Sequence, residues 1–350
     1  MTDRNRVKIA LCGAGMIGRA HAAILSRLPP EAASFDALAD PSPEGAALAA
    51  SLGVPHFADV EPMLDAIRPD AAIIATPNVL HGPHAHACID RGVAVLLEKP
   101  MAEDVATADA IAAQAEFAGV KLLIGQFRRH NPVVATARRV IQNGTLGRLV
   151  AISASSTVLK PDPYFDTAWR RQPGGGPVLI NLVHDIDVLR YLCGEIDTVQ
   201  AITSNATRRH PVEDTAVVLL RFQNGALATI VLSDTAASPF CWDQTAGENP
   251  AFPRHAADAY RISGTDGTLE LPSLKLWRYP GARGWTERLE CGQFDSETGD
   301  PLERQTLHFL RVINGEEPPL VSGRDGARTV AATLAVSRSA AERRPIELDK

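Results

Sequence analysis

A short apolar run that passes directly into a glycine-rich turn and then into a helical pattern constrains the fold of this chain most strongly. The run covers residues 7–12, and the turn at 13–18 reads Gly-Ala-Gly-Met-Ile-Gly. The dinucleotide fingerprint requires this order of strand, turn and helix. Its first glycine permits the tight turn, its second lets the backbone approach a pyrophosphate, and its third lets the helix pack on the strand. The sequence therefore predicts a nucleotide-binding unit at the N-terminal end.

A carboxylate follows at the position where such a unit binds the ribose. The next apolar run, residues 35–39, ends in Asp40, and an acidic residue about 20 positions after the glycines accepts a hydrogen bond from the ribose 2′-hydroxyl. The same charge repels a 2′-phosphate. The sequence therefore predicts NAD as the cofactor in preference to NADP.

The first half of the chain alternates short apolar strands with Ala-rich helices. This alternation predicts a doubly wound parallel sheet, the α/β Rossmann architecture, over residues 1–127. Strands are expected at 7–12, 35–39, 71–75, 93–97 and 121–126, with helices at 16–28, 43–52, 60–67, 81–91 and 104–118.

The second half, residues 128–350, has longer strands in which apolar and polar residues alternate. Two of them, 216–222 and 226–232, are joined by Asn224-Gly225, which is a strong hairpin signal. We therefore predict an α+β domain with a large, open, mainly antiparallel sheet. Further strands are expected at 150–156, 198–203, 260–263 and 268–271, and helices at 132–142, 182–193 and 325–340.

Composition indicates a cytoplasmic enzyme of two domains. The chain has 350 residues, of which 45% are hydrophobic, enough to fill two cores. A net charge of −6 without a basic stripe disfavours nucleic acid and anionic membranes as partners. No apolar stretch approaches the roughly 18 residues that suggest a membrane span. The five cysteines are scattered without Cys-x-x-Cys spacing, as expected in a reducing compartment.

Two residues are candidates for chemistry. Lys99 follows the apolar run 95–97 and Glu98, so it is expected at the carboxyl edge of the parallel sheet, where open α/β sheets bind ligands. His184 lies near the start of a predicted helix, and histidine has a pKa suited to proton transfer near neutral pH. Residue types alone leave a structural alternative open, in which Lys99 pairs with Glu98 or Asp187 and His184 bonds to a neighbouring backbone group.

Several short motifs follow one another in an order typical of one enzyme family. They are the glycine-rich turn, Asp40, Thr76-Pro77-Asn78, His81, Glu98-Lys99-Pro100, Trp169-Arg170, Gly174-Gly175-Gly176, His184 and the segment Ser263 to Leu269. In this order and over nearly its whole length, the chain resembles the glucose–fructose oxidoreductase, inositol dehydrogenase and rhizopine-catabolism family. The resemblance implies hydride transfer between a nicotinamide and a secondary hydroxyl of a sugar, cyclic polyol or sugar derivative. It also implies a homodimer or homotetramer formed through the C-terminal sheet.

The resemblance also implies site residues. Lys99 and His184 are the expected catalytic pair, with His184 as the proton acceptor and Lys99 stabilising the developing alkoxide. The expected cofactor-binding residues are Gly13, Gly15, Met16, Ile17, Asp40, Thr76, Asn78, His81, Glu98 and Lys99.

A further set of residues is predicted to contact substrate. Arg128 follows the last Rossmann strand, where the chain passes between the two domains. Trp242 lies in a long loop, residues 234–258, and loops of that length are functional or disordered. An aromatic ring flanked by hydrogen-bonding groups suits a sugar. The predicted substrate-binding residues are Arg128, Trp169, Arg170, Asn181 and Trp242, and Trp169 could instead belong to a core.

One position departs from the family pattern. Many members have an aspartate four residues before the histidine, on the same helix face, and here that position is Ile180. Asn181 is the nearest polar residue on that side, and its amide cannot take a proton at neutral pH. The departure leaves open a second function, a catalytically silent NAD-binding sensor or regulator.

A histidine-rich helix start superficially resembles a metal site. His81, His84, His86 and Cys88 lie close together in the sequence, but no second set of ligands with suitable spacing accompanies them. No metal is therefore predicted.

Overall fold

The computed structural model describes residues 6–249 and 251–349. Strands and helices alternate along the first part of the chain, as the sequence predicts. In order, they are β1 (Val7–Cys12), α1 (Met16–Leu25), β2 (Ala33–Ala39), α2 (Pro43–Leu52), β3 (His56–Phe57), α3 (Val60–Ile67), β4 (Ala71–Ile74), α4 (His81–Asp90), β5 (Ala94–Glu98), α5 (Val105–Ala118) and β6 (Leu122–Gly125).

Longer strands dominate the rest of the chain. The elements are α6 (Pro132–Gln142), β7 (Leu149–Thr157), α7 (Val183–Cys193), β8 (Ile196–Ser204), β9 (Thr215–Phe222), β10 (Leu227–Ser233), α8 (Trp242–Thr245), β11 (Tyr260–Gly264), β12 (Thr268–Leu271), β13 (Lys275–Arg278), β14 (Glu290–Gln293), α9 (Pro301–Ile313), α10 (Gly323–Glu342) and β15 (Ile346–Glu347). Short 3₁₀ helices and a π-helix connect some of them. The sequence analysis missed α9 and the hairpin of β13 and β14.

The chain divides into two compact units. The first comprises residues 1–127 and 302–330, of which 1–5 lie outside the described residues, and the second comprises 128–301 and 331–350. The sequence analysis placed all residues after 127 in the second domain. Residues 302–330 instead belong to the first unit, where the backbone N–H of Ile124 in β6 donates to the carbonyl of Val321 at 3.0 Å.

The first unit contains a six-stranded parallel sheet in the order β3-β2-β1-β4-β5-β6. This is the Rossmann order, in which ligands bind at the carboxyl ends of the strands where the order reverses, here between β1 and β4. The central strands β4 and β5 are buried along their whole length, as strands covered on both faces must be. The predicted Rossmann fold is therefore confirmed.

The second unit contains a nine-stranded sheet in the order β14-β13-β12-β11-β7-β10-β9-β8-β15. Its paired strands are antiparallel except β7 and β10, which are parallel. The hairpin of β9 and β10 turns at Gly225, whose φ of +87° suits glycine. The predicted open and mainly antiparallel sheet is confirmed.

One face of the nine-stranded sheet forms the core of the second unit. Alternate residues of β9 are buried and exposed, the pattern of a strand with one face against a core. The buried face packs with apolar residues of α6, α7 and the last part of α10, for example Val134, Leu189 and Val336. No helix among residues 6–249 and 251–349 is long and apolar enough to cross a membrane.

Candidate active site

The glycine-rich turn after β1 combines two tightly packed glycines with one open glycine. A Cβ on Gly13 would lie 2.5 Å from the carbonyl oxygen of Ala75, and a Cβ on Gly18 would lie 2.1 Å from that of Gly13. A Cβ on Gly15 would meet nothing within 4 Å. Gly13 and Gly18 are therefore required by packing, whereas the backbone at Gly15 is open to a ligand, as a pyrophosphate-binding turn requires.

The N-terminus of α1 follows directly from this turn. Gly15 is its N-cap and offers no side-chain hydrogen bond, and the first turn has no acidic residue. The first N–H groups of a helix lack intrahelical partners and attract anions. Met16 is exposed and Ile17 is half-buried, so both side chains border the turn. The turn thus fits the phosphates of a dinucleotide.

Asp40, at the end of β2, is tied to the glycine-rich turn. Its Oδ2 accepts a hydrogen bond from the backbone N–H of Ala14 at 2.7 Å, and its Oδ1 accepts from the backbone N–H of Ser42 at 2.9 Å and from the Ser42 hydroxyl. Partial burial raises the pKa of Asp40, but the hydrogen bonds from Ser42 and Ala14 outweigh burial and lower it. The group is therefore a stable carboxylate beside the turn, as recognition of a ribose hydroxyl requires.

The loop after β4 is held by His81. The Nε2 atom of His81 lies 2.9 Å from the carbonyl oxygen of Thr76, and its Nδ1 atom lies 2.8 Å from that of Pro100. Burial lowers the pKa of this imidazole, and the two carbonyls oppose that effect. The buried ring therefore links two loops at the carboxyl edge of the sheet. Asn78 begins a short 3₁₀ helix on the same loop.

The other members of the histidine-rich segment have separate partners. His84 Nδ1 lies 3.2 Å from the hydroxyl of Thr76, and His86 is hydrogen-bonded to Gln114. Within residues 6–249 and 251–349, no three His, Cys, Asp or Glu side chains are grouped so that they could hold a metal ion.

Glu98 and Lys99 occupy the end of β5. Glu98 is buried, and its Oε1 lies 2.8 Å from Nε2 of the buried His21. Its other oxygen accepts from the backbone N–H of Lys99 at 3.3 Å. Glu98 thus links the end of β5 to His21. Lys99 is partly accessible at the carboxyl edge of the sheet, where open α/β sheets bind ligands.

Arg128 and Trp242 lie within a buried network of the second unit. Arg128 donates to Asp185 at 3.1 Å and to Asp243 at 2.9 Å. The Trp242 ring stacks on Tyr260 with centroids 5.4 Å apart, and the Arg128 guanidinium lies 6.0 Å from the Trp242 centroid. Trp242 is only 1% exposed. In this arrangement its ring belongs to the core and does not present a face to a sugar.

Asp185 is the centre of this network. Burial raises the pKa of Asp185, and the charge of Arg128 opposes that rise. Tyr260 donates its hydroxyl proton to the same carboxylate, and burial together with the nearby negative charge raises the pKa of Tyr260 well above its usual value. The network anchors the first turn of α7, which also contains His184.

The segment before His184 is a π-helix, residues 178–182. Single π-helical turns occur frequently at functional sites because they insert an extra residue into a helix. The Val178 N–H at its start donates to Glu213 at 3.0 Å. Ile180 and Asn181 both lie in this segment and are half-buried, and His184 follows in α7.

Lys160 is a residue that the sequence analysis missed. Its Nζ donates to Oδ1 of Asn181 at 2.7 Å, lies 3.7 Å from Oδ2 of Asp234, and lies 4.7 Å from the centroid of the Tyr164 ring. Lys160 comes shortly after β7, a strand with many polar residues in the mainly antiparallel sheet, so the reasoning that selected Lys99 did not apply to it.

Trp169 and Arg170 occupy a 3₁₀ helix, residues 168–171. Trp169 is 50% exposed, so it does not belong to a core. Arg170 lies 4.0 Å from the centroid of the Tyr164 ring, and its Nη1 donates to the Tyr164 carbonyl at 2.8 Å. Tyr164 is thus contacted by two cations, Arg170 and Lys160.

Two models of one protein family match this sequence. An oxidoreductase family described as an NAD-binding Rossmann fold matches residues 7–126, and the GFO/IDH/MocA C-terminal domain matches residues 134–270. The chain belongs to the GFO/IDH/MocA oxidoreductase family. The resemblance inferred from the motifs is therefore confirmed, as are NAD as the cofactor and oxidoreductase as the class of enzyme.

Relatives in the GFO/IDH/MocA family match almost the whole chain. D-apiose dehydrogenase of Paraburkholderia graminis is 26% identical over 99% of this chain and 91% of its own length. Myo-inositol 2-dehydrogenase of Thermotoga maritima is 26% identical over 98% of this chain and 99% of its own length. The crystal structure of the WlbA dehydrogenase from Bordetella pertussis in complex with NADH and UDP-GlcNAcA is 25% identical, with a TM-score of 0.81 over 99% of this chain and 100% of that chain.

We expect replacement of Asp40 to change the choice of cofactor. In Asp40→Ser the dissociation constant for NAD should rise about 10-fold or more, because a hydrogen bond to a charged group is lost. NADP binding should weaken less, since the charge that repels its 2′-phosphate is also lost. The same comparison can be made by fluorescence titration with NADH and NADPH, which have the same adenosine ribose groups as NAD and NADP.

Asp40→Asn is the matched variant, because it removes the charge, keeps one oxygen that can accept from Ala14 and replaces the other acceptor by an NH₂ donor. Equal losses of NADH and NADPH binding in both variants would mean that Asp40 only supports the turn and does not contact the ribose.

Proposed function

We propose that this enzyme oxidises a secondary hydroxyl of a sugar, cyclic polyol or sugar derivative, with NAD as the hydride acceptor. The observation that carries the proposal is the open turn at Gly15, beside which Asp40 is held as a carboxylate; the chain also contains a lysine and a histidine of the chemical types that the reaction needs. The dehydrogenases of D-apiose and myo-inositol among its relatives support this class of substrate.

His184 is the proposed general base. Oxidation of an alcohol needs removal of a proton from oxygen, and imidazole has a pKa suited to that step near neutral pH. His184 lies in the first turn of α7, next to Asp185, whose contacts with Arg128 and Tyr260 hold this turn in place. Lys99 is the proposed partner that stabilises negative charge developing on the substrate oxygen.

In the proposed reaction, each unit contributes different residues. The first unit binds NAD through the turn after β1, and Asp40, Thr76, Asn78 and Lys99 all follow carboxyl ends of its parallel strands. The second unit supplies His184 and the polar residues around Asn181. A sensor that only binds NAD would need neither Lys99 nor His184, so their presence favours turnover.

A panel assay tests the proposal directly. NADH formation should be measured at mildly alkaline pH with NAD and NADP in parallel, across inositols, aldoses, sugar acids and amino sugars. We expect turnover of at least one compound, faster with NAD. Tight NAD binding without turnover of any compound would contradict the proposed reaction.

Replacement of His184 should separate catalysis from cofactor binding. In His184→Asn we expect kcat to fall by about 10²- to 10⁴-fold, the usual contribution of a general base, while NAD affinity stays nearly unchanged. His255→Asn, at an exposed position in the second unit, is the control and should behave as the unmodified enzyme. Near-normal kcat in His184→Asn would remove His184 from this role.

We also propose that the exposed face of the nine-stranded sheet forms a homo-oligomer interface. Ile202, Val217 and Val231 lie side by side on β8, β9 and β10 and are 76%, 45% and 43% exposed. A contiguous apolar patch on a sheet face is typical of a surface that binds another protein. Leu219 of β9 and Leu227 of β10 are also exposed.

Val217→Glu should dissociate this assembly, because it places a charge at the centre of the apolar row. We expect sedimentation velocity to show a dimer or tetramer for the unmodified protein and a monomer for Val217→Glu. Phe117→Glu, on the 95% exposed side chain of α5, is the matched control and should leave the oligomer intact. A monomeric unmodified protein would contradict the proposed interface.

A further inference from the structure

His21 and Glu98 form a buried pair that joins a helix to a strand. His21 lies on α1, the helix that begins at the glycine-rich turn, and Glu98 is the last residue of β5. The two side chains are 0% and 3% exposed, and Nε2 of His21 lies 2.8 Å from Oε1 of Glu98. Because a carboxylate only accepts hydrogen bonds, Nε2 carries the hydrogen and is the donor. The pair therefore fixes α1 to the end of β5.

This contact reaches past one strand of the parallel sheet. The chain runs from β1 through the glycine-rich turn into α1, and β4 lies between β1 and β5 in the sheet. The first N–H groups of α1 are those that suit the phosphates of a dinucleotide, whereas β5 is followed at once by Lys99. The pair thus connects the proposed phosphate-binding helix with the strand that carries the proposed catalytic lysine.

The neighbouring strand leaves room for the Glu98 side chain. Gly125 of β6 lies beside Glu98 in the register, and a Cβ on Gly125 would lie 3.0 Å from Cδ and Oε1 of Glu98. A buried carboxylate is stable only when it is hydrogen-bonded, and His21 provides that bond. In the part of the chain that the structure describes, Nδ1 of His21 has no hydrogen-bond partner. Glu98 is therefore the polar contact that accounts for a histidine at this buried position.

Glu98 in turn bonds to the backbone of Lys99. Its Oε2 accepts from the Lys99 N–H at 3.3 Å. On the other side of Lys99, the carbonyl oxygen of Pro100 lies 2.8 Å from Nδ1 of the buried His81. The backbone before and after Lys99 is therefore fixed by a buried side chain, and this sets the point from which the Lys99 side chain leaves the sheet edge.

We propose that His21 is a positioning residue for hydride transfer. It holds the carboxylate of Glu98, and through Glu98 it sets the place of Lys99 relative to the glycine-rich turn. The inference rests on the proposed function and adds to it a residue that is itself fully buried. Without the His21 donor, the Glu98 carboxylate loses its hydrogen bond and no longer holds the Lys99 backbone. A misplacement of about 1 Å at a catalytic group can lower the rate by about 100-fold.

Substitutions of His21 test this role in the full-length enzyme, saturated with NAD and assayed with the inositol or aldose that the unmodified enzyme oxidises fastest. In His21→Leu we expect kcat to fall by about 10- to 100-fold, with KM for the sugar changed by less than about 3-fold. His21→Gln keeps an NH₂ donor near the position of Nε2 and should regain most of the rate. His21→Asn is one methylene shorter, does not reach Glu98, and should show the same loss as His21→Leu; it replaces that variant if His21→Leu does not fold. A kcat within about 3-fold of the unmodified value in the Leu or Asn variant would overturn the proposal.

A double-variant cycle tests whether His21 acts through Glu98. Glu98→Gln should lower kcat by itself, because its amide has one acceptor oxygen for two donors, Nε2 of His21 and the Lys99 N–H. Adding His21→Leu to Glu98→Gln should lower kcat by less than about 3-fold more, since changes within one hydrogen-bonded network are not additive. If the two losses multiply instead, His21 acts independently of Glu98 and the proposal is wrong.

His308→Leu is the matched control for a merely structural effect. His308 also forms a histidine–glutamate pair, with Nδ1 2.9 Å from Oε2 of Glu317, and this pair lies outside β5 and the glycine-rich turn. We expect both leucine variants to lower the melting temperature, and only His21→Leu to lower kcat at a temperature where all the variants are folded. Equal kcat losses in both variants would make the His21 pair structural and contradict the proposal.

The unmodified enzyme separates this inference from the proposed function. If it turns over a sugar or polyol and His21→Leu does so equally well, only the inference fails. If the unmodified enzyme oxidises none of the compounds in the panel, the proposed function fails, and a positioning role in that reaction fails with it.

Discussion

The burial of Asp185 is the constraint on which the second unit depends. A carboxylate in a protein interior is stable only when it is paired and hydrogen-bonded. Asp185 meets this requirement through Arg128 and Tyr260, which come from different parts of the sequence. Removing one partner of such a buried pair typically costs about 3–5 kcal/mol of stability. The first turn of α7 is thereby fixed to β11 and to the residues that follow β6, and His184 and Asn181 are held with it.

A second ion pair fixes α7 to the same stretch of chain. Arg129 donates from Nε and Nη2 to the two oxygens of Asp187, both at 2.7 Å. Two-point pairing of this kind sets orientation as well as distance. The adjacent arginines therefore bind Asp185 and Asp187, which lie two residues apart and so on roughly opposite sides of α7. This pairing explains the burial of Arg128, for which the sequence predicted substrate contact. Arg128 is better described as a residue that positions the helix.

In the first unit, polar contacts fix the positions of the loops at the carboxyl edge of the parallel sheet. Asp40 holds the glycine-rich turn through Ala14, His81 links the loops after β4 and β5, and Glu98 supports the backbone of Lys99. Each contact joins segments at the carboxyl edge of the sheet, the edge at which open α/β sheets bind ligands. His81 and Glu98 were predicted to bind the cofactor, and this stays a prediction; their buried side chains hold the surrounding loops in shape.

The sequence by itself determined those strands, helices and turns that depend on a few neighbouring residues. The glycine spacing, the alternating strands and helices and the Asn-Gly hairpin predicted the Rossmann domain and the open sheet, because strand period, glycine geometry and turn type depend on neighbouring residues. Only the tertiary structure decided which charges are buried together. The partners of Asp185 lie 57 and 75 residues away, and the residues that join the first unit at 302–330 follow 174 residues of the second, 128–301. The link between Lys160 and Asn181 likewise exists only because folding brings the end of β7 beside the π-helix, and no local pattern encodes that approach.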